Sequence, residues 1–225
     1  MSPHLLLADA ESAADALTFA GRAARFTNEG VRLQAARGVL AMTAAPLAPK
    51  GLLDPTPTVL AMRTLAADPE LECDLVVDAA SLSAVPGETT AVGLPDTALS
   101  PAWAGIAPPR GGWREQDGID ASVLAAKAQS GMTRVADAVP TDAGEDAVRT
   151  VRAAVWGERD DELGGLPLGA AFAALSMGFI SGVETVRVFT SGPWARLTLQ
   201  RGHVLVRGPV ASGLTPVRRT GAPES

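Results

Sequence analysis

The sequence predicts an α+β fold with an N-terminal helix on a mostly antiparallel sheet, a central helical segment and a C-terminal antiparallel β-meander. Three observations predict it. Apolar residues recur at helical spacing near the N-terminus and again in the middle of the chain, and the period changes to two after Gly182. Pro and Gly gather in two stretches, Pro46 to Pro57 and Pro95 to Gly112, that punctuate these segments. With 47% hydrophobic residues in 225, the chain can bury a sizeable core, which excludes an intrinsically disordered protein.

From Asp9 to Phe26, Ala13, Ala16, Leu17, Ala20 and Ala24 mark one face of an amphipathic helix. Arg22 and Arg25 lie in its last turns, where cations suit the negative end of the helix dipole. Thr27 to Gly30 read as a stop. The runs Val31 to Ala36 and Val39 to Ala45, joined by Arg37-Gly38, predict a β-hairpin. The Pro-rich stretch to Pro57 is an exposed crossover. Strands are expected at Thr58 to Leu65 and Glu72 to Asp78, a short helical turn near Ser81 to Val85, and an edge strand at Thr89 to Val92.

Residues 1–94 thus read as one α+β unit, and 95–116 as a Pro- and Trp-rich strap. Trp103 and Trp113 are too apolar for a solvated tether, so the strap is expected to be ordered. Residues 117–208 read as helices followed by the meander, and 209–225 as a flexible tail. Helices are expected over Asp120 to Val139, interrupted near Ser130-Gly131, and over Asp142 to Trp156, with Asp142 and Glu145 as the cap signal.

The 21 residues between Glu162 and Glu184 carry no charge, which is just enough to cross a membrane. Their glycines, serines and proline confine the strongly apolar part to Leu168 to Ile180, the length of a buried core helix. Ala170, Ala174, Gly178 and Gly182 form a row of small residues on it, open to close approach by another backbone. Beyond Gly182, Glu184 to Phe189, Ala195 to Gln200 and His203 to Arg207 read as the three strands of the meander. Arg32-Leu33 before Arg37-Gly38 is matched by Arg196-Leu197 before Arg201-Gly202, which either a duplicated helix-plus-hairpin unit or the Arg- and Gly-rich composition accounts for.

The function classes narrow mainly by exclusion. Cys73 is the single cysteine, so neither a disulfide framework nor a cysteine zinc site is expected, and its neighbours Glu72 and Asp74 should raise its thiol pKa. A net charge of −6 argues against nucleic acid and anionic lipid as bulk electrostatic partners. The helix before the last hairpin lacks the polar side chains of a recognition helix, which argues against a winged-helix regulator. No glycine-rich phosphate cradle, nucleophile elbow or zinc-protease motif occurs, no metal or cofactor is expected, and Asp160 to Glu162 fan outward as a solvated loop. Met1 to Leu7 lacks a basic n-region and is not read as a signal peptide.

Positive charge is in local excess only over residues 184–225, which hold six basic groups against two acidic. Strand alternation gathers Arg196, His203 and Arg207 beside Trp194 on one face, with Arg187 near. That face, with Arg110 of the strap, is the candidate site for a small anion or an acidic partner, and an ordinary solvated sheet face is the plainer alternative. His203 is the only plausible general base, because the chain has two histidines and no tyrosine.

The strings Pro108 to Trp113, Arg152 to Trp156 and Arg201 to Arg207 resemble a family of uncharacterised proteins from GC-rich Gram-positive bacteria. The resemblance implies a cytoplasmic bacterial protein and brings no activity with it. Together these readings predict a non-catalytic binding or scaffolding protein that associates with itself through its small-residue helix. The alternative is an enzyme of unrecognised type acting on an anionic small molecule.

Overall fold

The computed structural model describes residues 3–51 and 53–208; the expected tail, 209–225, lies outside the described residues. In chain order, β1 (His4–Leu6) leads into α1 (Ala10–Ala23), then β2 (Val31–Ala36), β3 (Val39–Leu47), β4 (Thr58–Ala66), β5 (Cys73–Val77), β6 (Ser83–Val85) and β7 (Glu88–Gly93). After the strap come β8 (Arg114–Asp120), α2 (Ala121–Ala138), α3 (Glu145–Gly157), the short β9 (Arg159–Asp160) and β10 (Leu166–Pro167), and α4 (Leu168–Ser176). The meander β11 (Thr185–Ser191), β12 (Trp194–Leu199) and β13 (Gly202–Arg207) follows.

One antiparallel sheet of eight strands in the order β5-β2-β3-β4-β13-β12-β11-β8 organises the molecule. Its central pair is β4 with β13, which match Thr58 with Arg207 and Met62 with His203 and so join the N-terminal and C-terminal stretches. Each half contributes three consecutive strands, β2-β3-β4 and β11-β12-β13, that meet along this seam. A smaller sheet, β1-β7-β6, stands beside it. The α+β class is therefore the observed one.

The hairpin β2-β3 turns through Arg37 (φ 53°) and Gly38 (φ 76°), the left-handed pair that a two-residue turn between twisted strands demands. Asp9 starts α1 by accepting a hydrogen bond from the Ser12 amide at 2.7 Å. Along β12, Ala195, Leu197 and Leu199 face the helices and are buried with α1, α2 and α4 in the main core. Trp194 and Leu205 point the other way and join Trp103 of the strap in a second core, with Leu60 and Val76. The strap is thus ordered on this second face, and Trp103 is 2% exposed. The sheet is covered on both sides.

Five sequence readings need correction. Arg114 to Gln116 fall in the range read as strap, yet they begin β8, the edge strand paired with β11. Residues Thr89 to Val92 belong to β7, the middle strand of the small sheet, and Ser83 to Val85 are strand β6 where a helical turn was expected. α2 runs unbroken through Ser130-Gly131, because Gly131 is where the Trp156 indole presses against it. α3 starts at Glu145 with Gly144 at its N-cap, three residues later than the Asp142 signal suggests.

The uncharged segment is buried as its composition implies, but its helix is short. Leu168 to Ala174 are all buried, whereas Gly178 (φ 64°) and Gly182 (φ 79°) lie beyond α4 in left-handed turns. The small-residue row is therefore not a continuous helix face. Ala170, Ala171, Ala173 and Ala174 are fully covered inside the chain itself and offer no surface to a second copy. No helix among the described residues is long and apolar enough to cross a membrane.

Candidate functional site

The cross-strand register of β12 and β13 places Trp194 opposite Arg207, Arg196 opposite Leu205, and Thr198 opposite His203, all on the strap side of the sheet. The strap covers much of this face. Arg196 lies with its guanidinium 4.7 Å from the ring centres of both Trp113 and Phe189, and Arg187 stands 4.9 Å from Phe189. Ring faces carry partial negative charge, so the aromatic sandwich offsets the charge that a carboxylate would otherwise neutralise. The Nε of Arg196 is buried without a hydrogen-bond partner among the described residues, and burial, with Arg187 adding to it, lowers its pKa.

His203 is packed beside it, with Nδ1 3.2 Å from the Thr198 hydroxyl. Burial first, and the Arg196 charge second, hold its imidazole pKa below the ordinary value of 6.5. Arg187 is paired to Glu115 at 2.9 Å. Trp194 is 5% exposed and serves the second core, and with Arg207 it walls a groove of about 510 Å³ beneath Ile106 and Pro109. Arg110 is exposed on the strap and does not line that groove. Asp160 and Glu162, which the sequence presents as a solvated loop, converge on Lys127 at 2.8 and 2.7 Å. Cys73 is half-buried and its thiol pKa is raised, by burial first and by Asp74 only as a smaller effect.

A larger concavity lies elsewhere. The turn after α1, the end of β3 with the Pro-rich crossover, and α3 enclose a cleft of about 980 Å³. Each wall follows from local sequence. Thr27 accepts from the Glu29 amide at 3.1 Å and turns the chain out of α1. Asp54 accepts from the amides of Lys50 at 2.8 Å and Thr56 at 2.9 Å, which folds the crossover into a rim. The Thr56 side chain first, and then the amides of Lys50 and Thr56, lower the Asp54 pKa. Phe26 is the aromatic ring open to the cleft and meets Phe172 edge-on at 6.0 Å, while Trp156, 2% exposed, lies beneath the floor, stacked on Phe172 at 4.5 Å.

Charged groups line this cleft, and most are engaged. Glu29 is paired with Lys50, Arg149 with Asp146, and Glu158 with Arg134. Arg152 differs from them. Its half-buried guanidinium reaches only the Phe26 carbonyl, at 3.5 Å, and no carboxylate among the described residues lies within ion-pair distance of it. Burial alone pushes its pKa below the usual arginine range. The sequence reading passed over this residue because Arg152 sits on an amphipathic helix where an arginine reads as solvated surface. Among the described residues no cluster of three or more His, Cys, Asp or Glu is arranged to hold a metal ion.

Residues 1–105 match the model of a family described as a domain of unknown function (DUF8010), and residues 108–211 match another such domain (DUF8185). The chain therefore consists of two stretches that match uncharacterised domain families, which meet in the strap. No curated protein matches it. Among solved structures, the chain is similar to a DNA polymerase III subunit beta sliding clamp from Bartonella birtlesii, at 14% identity over 96% of this chain and 68% of that one, with a TM-score of 0.49. Caulobacter crescentus pol III beta gives 12% identity over 100% and 70%, with a TM-score of 0.48. The DNA polymerase III subunit beta from Pseudomonas aeruginosa gives 10% over 98% and 68%, with a TM-score of 0.46. The overlap is loose, and no role passes from those proteins to this chain on its strength.

Proposed function

We propose that the chain is a non-catalytic binding protein whose ligand seats in the cleft between α3 and the Pro-rich crossover. The observation that carries this reading is the cleft itself. At about 980 Å³ it lies at the upper end of the ~300 to 1,000 Å³ typical of ligand sites, and it mixes an aromatic floor with a few polar groups at fixed positions. Its floor rests on the main core through Trp156 and Phe172, so the site is held in shape before anything binds. The positive face of the meander supports a direct anion site less well, because the strap lies over Arg196 and supplies ring faces as its partners.

The test is saturable binding of an apolar fluorescent probe, N-phenyl-1-naphthylamine, to the intact protein and to an Ala154→Trp variant. Ala154 is exposed and lines the cleft, so the added indole fills the space without entering the core. Saturable binding by the wild type and its loss in the variant are expected. Equal binding by both proteins would place the ligand elsewhere.

A further inference from the structure

The charges lining the cleft are unequally matched, and the imbalance names a ligand. Glu29 has Lys50, Glu158 has Arg134, and Asp54 has the amides of the crossover. Arg149 has Asp146. The half-buried guanidinium of Arg152 is left with one long contact to a carbonyl. A half-buried cation with donors to spare is a site of unused attraction for an anionic oxygen, and a guanidinium fork suits two such oxygens at once. Beside it, the partly exposed Phe26, Pro46 and Val148 present apolar surface inside the same walls, with the buried Trp156 behind them.

We infer that the cleft takes a small organic anion with an apolar body, its anionic group on Arg152 and its body over Phe26 and Val148. This inference rests on the cleft being the binding site. The rim limits the ligand further. Four carboxylates, Glu29, Asp54, Glu145 and Glu158, line the cleft against Lys50, Arg149 and Arg152, and the chain as a whole carries a net charge of −6, so a single anionic group on Arg152 is favoured over a polyanion. Size limits it as well, since about 980 Å³ accommodates a drug-sized molecule and not a folded domain.

Two probes that share one ring system and differ in charge test the inference. 8-Anilinonaphthalene-1-sulfonate carries an anionic group, and N-phenyl-1-naphthylamine does not. Wild-type protein is expected to bind the sulfonate at least about tenfold more tightly, as befits a hydrogen-bonded ion pair with a half-buried guanidinium. Arg152→Met should close that gap and leave the neutral probe unchanged, and Arg152→Lys should restore part of it. Decanoate should displace the sulfonate probe, whereas inorganic phosphate at equal concentration should not; equal displacement would remove the requirement for an apolar body. Equal affinity of the two probes in the wild type, with both lost in Ala154→Trp, would overturn the anion assignment while leaving the cleft as the binding site. Binding of both probes unaffected by Ala154→Trp would overturn the cleft reading as well.

Discussion

Gly131 of α2 lies against the indole of Trp156 on α3, so close that a Cβ at residue 131 would collide with Cζ3 and stand 2.8 Å from Cη2. The same indole stacks on Phe172 of α4 and lies beneath the cleft floor. One missing methyl group therefore sets the distance between α2 and α3 and the position of the ring beneath the ligand site.

Gly131→Ala is expected to destabilise the protein by about 1 kcal/mol, and by no more than about 2. A glycine to alanine change in a free helix would gain ~1 kcal/mol of propensity, but overpacking against a ring held on its far side by Phe172 costs about 1 to 3 kcal/mol. Thermal or urea unfolding checks the sign: an unchanged or raised midpoint would show that Trp156 can move aside freely.

Arg37→Asn is expected to stabilise the protein by roughly 0.5 to 1 kcal/mol. Among the described residues, Arg37 is the one non-glycine residue with positive φ, at 53°, and asparagine tolerates that region far better in a turn of this kind. The side chain is exposed, so the substitution touches no packing. A higher unfolding midpoint with unchanged denaturant dependence is the expected result.

Arg196→Ala should cost more than Arg196→Met. Both remove the cation from between Trp113 and Phe189, an interaction worth ~0.5 to 2 kcal/mol. Methionine keeps an apolar stem against the rings and ends the burial of an unpartnered Nε, so its net loss should stay below ~1 kcal/mol. Equal losses would mean that the charge, and not the stem, holds the strap at Trp113.

Stability is expected to fall as the pH is lowered from 7.5 to 5.5, and His203→Gln should flatten this dependence. The folded-state pKa of His203 is depressed by burial and by Arg196, so the unfolded chain binds the proton first. The contribution is fully present above the ordinary imidazole value of 6.5 and is lost as the pH falls through the lower folded value. Unfolding midpoints of the two proteins across this range give the comparison. Parallel curves would assign the dependence to other groups.

How far the fold was legible depended on how strongly each segment repeats. The β2-β3 hairpin and the meander announced themselves through Arg37-Gly38 and the alternation of Ala195, Leu197 and Leu199. β8 did not, because an edge strand of Arg, Glu, Gln and Asp has no buried face to pattern and is recognisable only from its pairing with β11. Gly131 and Gly178 show opposite failures of one rule. The first reads as a break and is a packing contact inside a helix, and the second reads as part of a helix face and ends the chain's turn beside Arg22. The cleft was hidden because its walls come from three distant segments. Arg152 stands out only beside neighbours that have ion-pair partners, because its one contact is the long hydrogen bond to the Phe26 carbonyl.

The seam between β4 and β13 also bears on how the molecule comes into being. Thr58 pairs with Arg207, so the middle of the sheet closes only between segments far apart along the chain. Contacts of such separation form late, since a long loop must be ordered before they repay its entropy. A nascent chain that has emerged only as far as Trp113 has all of β2, β3 and β4 but leaves β4 as an open edge until β13 arrives. Open strands of this kind recruit other strands. Synthesis of this protein thus passes through an interval in which half of a sheet waits for its other half, and its yield in a cell should depend on how quickly that interval ends.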